Sequence, residues 1–338
     1  EYRRVVEMTA RFASHLASTS DAPLLPLAAA RLHGAWTRGP VELPGDEDEW
    51  VAQLVERIRA HGGEVRPSER CEAILHARGR VRGVILDGDG EETGAGFVVG
   101  DRPAAQLVDR VRELHVEPEE PHPACRVDER RYVLSAVIAT DAVPEALARL
   151  AFLRADDQRG VDVLLQRATF AAAEGALAAR RAELWVCEAL LDPARMPRLD
   201  GDLRARESVL STVRRYFPFF DRHVHVLDSP HDGAPVLARL DGDELRALPR
   251  RELRIGGGSL LAEPAEPLFR PWSEAYAGLC GEPLRTVVDQ LLTVAPSVVP
   301  ALGVEGELLA AFGAARLVTK TDKRRERMRR EMWSKIEI

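Results

Sequence analysis

A chain of 338 residues is long enough for one large domain or two ordinary ones, and 45% hydrophobic with 30% charged residues suits a protein with a packed core. A formal net charge of −7 argues against wholesale nucleic-acid binding. Four scattered cysteines (Cys71, Cys125, Cys187, Cys280) form no CxxC, which leaves structural zinc and a disulfide framework poorly supported and favours a reducing, cytoplasmic compartment.

No stretch approaches ~20 uninterrupted apolar residues, so no membrane span is expected. The longest apolar run, near Leu291 to Val304, is broken by Pro296 and Pro300. No signal peptide is visible. The opening run EYRRVVEMTARFASHL has apolar residues at helical spacing and begins without a cap, so an upstream segment is expected.

Asp46 to Ala60 predicts an amphipathic helix with Trp50, Val51, Leu54, Val55 and Ile58 on one face, acids at its start and Gly62-Gly63 at its end. Glu64 to Arg66 is expected to be short and extended. Cys71 to His76 and Val81 to Leu86 predict a hairpin joined around Gly79. Asp87 to Gly90 signals a turn, Thr93 to Gly100 an extended stretch, and Pro103 to Leu114 a helix. The acidic, proline-rich run Glu117 to Cys125 predicts a linker. Strands are expected at Tyr132–Ile138, Val161–Leu165, Glu183–Leu190 and His223–Leu227, and helices near Glu145–Phe152 and Ala205–Phe217. A loop at Ile255–Ser259, a short strand at Leu291–Val294, a helix from about Gly306 to Val318 and a basic tail complete the chain.

Several signatures are missing. No GxGxxG, Walker, GxSxG or HExxH pattern occurs. The nearest approach to the first, Gly94-Ala-Gly96-Phe-Val-Val-Gly100, leads into a strand and predicts a plain strand and turn. His223 and His225 would share a strand face, with no third metal ligand at a telling spacing. His231 and Asp232 lie in Asp-Ser-Pro-His-Asp-Gly, where turn chemistry is the favoured reading over contact with a substrate. The tail from Lys320 to Ile338 would make a basic helix with a stripe of Met328, Met332, Trp333 and Ile336. It suits a solvated helix paired with acidic neighbours, and also peripheral contact with an anionic membrane.

The richest piece is Ala295-Pro-Ser-Val-Val-Pro300-Ala-Leu-Gly303-Val-Glu-Gly306, followed by a helix with small residues at Ala310, Ala311, Gly313, Ala314 and Ala315. Its glycines allow close backbone approach to a flat ligand, and the helix that follows turns free amides and a positive dipole end toward the loop. A strand, a turn and a closely packed helix would use the same residues.

This loop resembles the C-terminal flavin motif of the phytoene desaturase and flavin amine oxidase superfamily, HPGxGxxGxxxSGxxAA. Pro300, Gly303, Gly306 and Ala314-Ala315 fall on that pattern. Val299 stands in place of histidine, Ala301 in place of glycine, and Ala295 and Ser297 in place of upstream glycines. A second block is similar to the same family: Trp50, Leu54, Ile58, Gly62-Gly63, Val65, Cys71, Ile74, Val81, Gly83-Val84 and Gly88, followed by Phe97-Val98-Val99. Ala142 to Leu147 resembles the "lP.gl" step of desaturase-like members.

The resemblance implies an α/β fold in which an incomplete FAD-binding, Rossmann-like domain (46–115 and 286–338) is interleaved with an α+β substrate domain (1–45 and 116–285). The family's N-terminal GxGxxG unit is absent from this sequence. FAD is the implied cofactor, with Cys71 against the adenine and Pro300, Gly303, Val304, Glu305 and Gly306 at the flavin, Val304 offering a backbone amide. The implied reaction is FAD-dependent oxidation or desaturation of a lipophilic, isoprenoid- or carotenoid-type substrate. A flavin amine oxidase, and a non-catalytic relative binding a lipid or lipid-modified partner, are the alternatives. In such enzymes the flavin accepts hydride and the protein positions the substrate, so no catalytic acid or base is named.

Overall fold

The computed structural model describes residues 2–39, 47–87, 90–113, 120–155, 160–169, 181–193, 203–239, 244–248 and 263–321. In chain order the helices are α1 (Tyr2–Phe12), α2 (Pro26–Thr37), α3 (Glu47–Ala60), α4 (Ala104–Val108), α5 (Arg204–Tyr216), α6 (Phe220–His223) and α7 (Gly303–Thr321). The strands are β1 (Cys71–Ala77), β2 (Arg80–Leu86), β3 (Glu92–Gly94), β4 (Val98–Gly100), β5 (Val127–Ala139), β6 (Leu150–Leu153), β7 (Val163–Thr169), β8 (Ala182–Leu191), β9 (Val224–Asp228), β10 (Val236–Ala238), β11 (Arg246–Leu248), β12 (Glu266–Phe269) and β13 (Leu291–Thr293). The chain is thus mixed α and β, and it divides into two compact units, Glu1–Arg126 with Phe269–Ile338, and Val127–Leu268. Residues 1–45, 116–126 and 269–285, expected from sequence in a substrate domain, fall in the unit that holds 46–115 and 286–338.

In the first unit, α3 ends as its glycines dictate. Gly62 takes φ +79°, its amide donates to the Arg59 carbonyl at 2.9 Å, and the Gly63 amide donates to Ile58 at 2.8 Å. This pair of bonds closes the helix on a left-handed residue that only glycine adopts without strain. The expected apolar face of α3 is not covered: Trp50, Val51, Leu54 and Ile58 are exposed. The expected extended stretch at Glu64–Arg66 is loop, with Arg66 bonded to Glu64 and Glu69.

β1 and β2 pair antiparallel across Arg78 and Gly79, both at positive φ, as a tight two-residue hairpin turn requires. β3 adds to β2, and the stretch expected to be extended from Thr93 to Gly100 is divided into β3 and β4. Gly83 passes so close to β3 that a Cβ there would lie 2.4 Å from the Thr93 carbonyl oxygen. β4 pairs parallel with β13, Val98 opposite Leu291 and Gly100 opposite Thr293. Ile74, Val81, Leu107, Val111, Val288 and Leu291 form the core beneath the hairpin. A second cluster joins Ala10, Leu16, Leu24, Ala28, Leu32 and Ala301. α2 escaped the sequence reading, although Pro26 in its first turn and the alanines that follow are helix signals.

The second unit is built on an eight-stranded sheet in the order β11-β10-β9-β5-β8-β7-β6, with β12 also pairing β5. Alternation along β5 sends Tyr132, Leu134, Ala136 and Ile138 into one core with Trp185, Cys187, Leu165 and the apolar side of α5. Trp185 is fully buried and meets Phe217 edge-on at 4.9 Å. The helix expected near Glu145–Phe152 does not form. Leu150–Leu153 instead pairs antiparallel with β7, since pairing and burial of Leu153 outweigh local helical preference. His223 closes α6 and His225 lies within β9, so they do not share a strand face.

The loop at Ile255–Ser259, the tail beyond Thr321, Glu117–Glu119 of the linker, and Gly88 and Asp89 of the turn lie outside the described residues. All four cysteines are free thiols. Among the described residues no helix is long and apolar enough to cross a membrane.

Candidate functional site

β13 leads through a short 3-10 turn, Pro300–Leu302, into α7. α7 begins at Gly303, three residues earlier than expected, so Val304, Glu305 and Gly306 form its first turn instead of a loop. Gly303 has φ 53° and ψ −132°, a conformation outside the helical region that aligns the helix start. The first amides of any α-helix lack partners within the helix. Here the first turn reaches the surface, with Val304 70% exposed.

The two carboxylates of this turn are occupied. Glu305 lies 3.7 Å from the Arg31 guanidinium, and Glu307 meets His15 Nε2 at 2.9 Å. Negative charge beside the helix start is therefore partly offset by Arg31 of α2, while His15 holds Glu307 through a hydrogen bond.

Both glycines are needed by the protein's own backbone. A Cβ on Gly306 would lie 2.1 Å from the Val299 carbonyl oxygen, and one on Gly303 would lie 2.8 Å from the Ala13 carbonyl oxygen. Pro300 is buried, and its carbonyl accepts from the His15 amide at 2.8 Å. The loop is thus closely packed against residues 13–15.

Glu282, which the sequence reading missed, anchors the same loop. This buried carboxylate accepts from the Ala104 amide at 3.0 Å, at the start of α4, and from the Ser297 hydroxyl. Its own amide donates to the Ser297 carbonyl at 3.0 Å. Cys125 sits beside it, with its thiol pushed up to about 12, first by burial and then by the Glu282 charge. A glutamate in Cys-Gly-Glu-Pro carries no local signal of burial, so only the tertiary contact reveals this anchor.

Cys71 stands apart from the loop. It opens β1, packs on the cluster beneath the hairpin, and its carbonyl accepts from Arg110 at 2.9 Å. Burial raises its thiol above the ordinary value. The loop residue Ala301 belongs to the other cluster of the unit.

The acidic turn of the second unit is an internal anchor. Asp232 is fully buried, takes a bidentate pair of bonds from Arg206 at 2.9 and 3.0 Å, and accepts from the Tyr132 hydroxyl at 2.9 Å. It also accepts from the Ala234 amide at 3.0 Å, which shapes the turn. Burial, then the Asp232 charge, holds the Tyr132 phenol far above its usual range. Among the described residues no group of three metal-ligating side chains is gathered.

No family model matches the chain. No curated protein matches it either. Nineteen chains of solved structures do. One of them is an oxidoreductase from Methanosarcina mazei, with a TM-score of 0.46 and 14% identity, over 79% of this chain and 53% of that one. The chain thus spans about half the length of that structure.

Proposed function

We propose that this chain is part of an FAD-dependent oxidoreductase of the phytoene desaturase type, acting on a lipophilic substrate. The reading rests on the parallel pairing of β4 with β13. It draws together, within one unit, the two sequence blocks that resemble this family although they are far apart in the chain. Ligands of parallel α/β sheets gather beyond the carboxyl ends of the strands, and the run from Ala295 to Gly306 leaves that end of β13.

The residues there fit a flavin in one respect. The first turn of α7 offers amides that lack partners within the helix and a helix dipole that stabilises negative charge, while Arg31 and His15 engage the neighbouring carboxylates. When bound, FAD would supply the hydride acceptor. The chain would contribute the Val304 amide, the loop held by Glu282 and Ser297, and the packing of residues 13–15 over Gly303. The bare faces of Gly303 and Gly306 are turned to the protein's own carbonyls, so they serve the loop's shape and not a close approach of the ligand.

The visible absorption of the protein expressed from its complete reading frame tests the proposal. Oxidised-flavin bands that bleach on reduction are expected. A colourless, folded protein that takes up no added FAD overturns it. A sharper test replaces Val304 by proline. The first turn of a helix tolerates proline, so the variant deletes one amide while keeping α7. A loss of about tenfold in FAD affinity is expected, the scale of one hydrogen bond to a charged group.

One observation favours a lipid-binding, non-catalytic relative instead. Val304, Leu308 and Phe312 are 70%, 59% and 69% exposed and lie one turn apart on α7, an uncovered apolar stripe. A protein without flavin that retains lipid in a Phe312-dependent manner would favour that reading.

A further inference from the structure

A cavity of about 480 Å³ lies in the first unit at the amino ends of β4 and β13, the end opposite to the Ala295–Gly306 loop. That volume is in the range of small-molecule sites. Phe97, just before β4, and Gln290, just before β13, line it together with Leu291, Leu292 and Leu317. Three cations reach it from separate elements: Arg80 from the start of β2, Arg285 from the segment before β13, and Lys320 from the last turn of α7. None of the three makes a side-chain ion pair or hydrogen bond with a described residue. Among the described residues, Asp289 is the one carboxylate in the lining, and its side chain has no partner among them.

Three like charges gathered round one hollow repel each other, and one carboxylate does not balance them. A bound anion relieves that repulsion. Arginine side chains grip phosphate through two parallel N–H groups, and an ammonium adds a point charge. The carbonyl end of α7 opposes an anion, and Lys320 in its last turn offsets this. The phenyl ring of Phe97 and the three leucines give an apolar wall beside the cations. Gln290 holds φ 69°, a left-handed backbone rarely adopted by a residue with a side chain, and this bends the chain around the opening.

We infer that this cavity binds a phosphate ester whose organic part is flat or apolar, with Arg80, Arg285 and Lys320 on the phosphate and Phe97 against the organic group. The site is separate from the one proposed for flavin and does not depend on it.

Titration of the 338-residue protein with 1-naphthyl phosphate, followed by probe fluorescence at low ionic strength, tests the inference. Saturable binding at one site per chain is expected. The double variant R80Q/R285Q should weaken it by about tenfold or more, as expected on losing charge-assisted hydrogen bonds. Asp289→Asn should tighten it by about threefold because a like charge is removed. That gain cannot come from damaged folding. A parallel arm measures co-flotation with vesicles of phosphatidylcholine containing phosphatidic acid. Binding in either arm that the double variant loses supports the inference, and the arm in which it occurs tells a free phosphate ester from a lipid headgroup. Absence of saturable binding in both arms, or binding that R80Q/R285Q retains, overturns it.

Discussion

Asp232→Ala would leave the Arg206 guanidinium, 3% exposed, without its carboxylate, and Tyr132 without its acceptor. Removing one partner of a buried ion pair costs about 3–5 kcal/mol, because the remaining charge stays out of water. Urea unfolding of Asp232→Ala should therefore show a loss of that size, while exchange at the exposed Glu145 should change little. Cys187 gives a pH dependence. Burial, reinforced by the Glu188 charge, pushes its thiol up to about 12 from the ordinary 9.0. The folded protein holds this proton where the unfolded chain releases it, so its share of stability is intact below pH 9 and is lost as pH rises toward 12. Unfolding measured across that window should show an alkaline decline that Cys187→Ala makes shallower.

The elements whose form is set by neighbours in sequence were readable beforehand. The Arg78-Gly79 turn needs positive φ twice, and Gly79 supplies one of those positions without strain. The glycine pair after α3 closes the helix by local hydrogen bonds alone. Gly62→Ala should cost about 1 kcal/mol by chemical denaturation, since alanine pays a steric penalty at φ +79°. The periodic face of α3 reads as buried and is exposed. Leu54→Lys should consequently change stability by less than about 0.5 kcal/mol. The stretch around Leu150 reads as helix and is strand, because β7 provides a partner that no local window contains.

At the scale of the molecule, the unit Val127–Leu268 is continuous in sequence and has its own core, whereas the other is assembled from two stretches. A chain restricted to residues 127–268 should unfold cooperatively. Trp185, the single tryptophan in that span, reports its core through near-ultraviolet dichroism and blue-shifted emission. A flat dichroism signal would show that its core needs the rest of the protein.

Composition, turn residues and strand alternation by themselves determined the mixed α and β character, the β1–β2 hairpin, the end of α3 and half of the strands of the large sheet, β5, β7, β8 and β9. Each follows from backbone sterics or from side-chain spacing over a few residues. The tertiary structure alone decided that β4 meets β13, that Glu282 anchors the Ser297 loop, that Asp232 is a buried partner of Arg206 and that Arg80, Arg285 and Lys320 share one cavity. Those facts join residues distant in the chain, and their energies come from burial and charge in three dimensions, which no short stretch of sequence encodes.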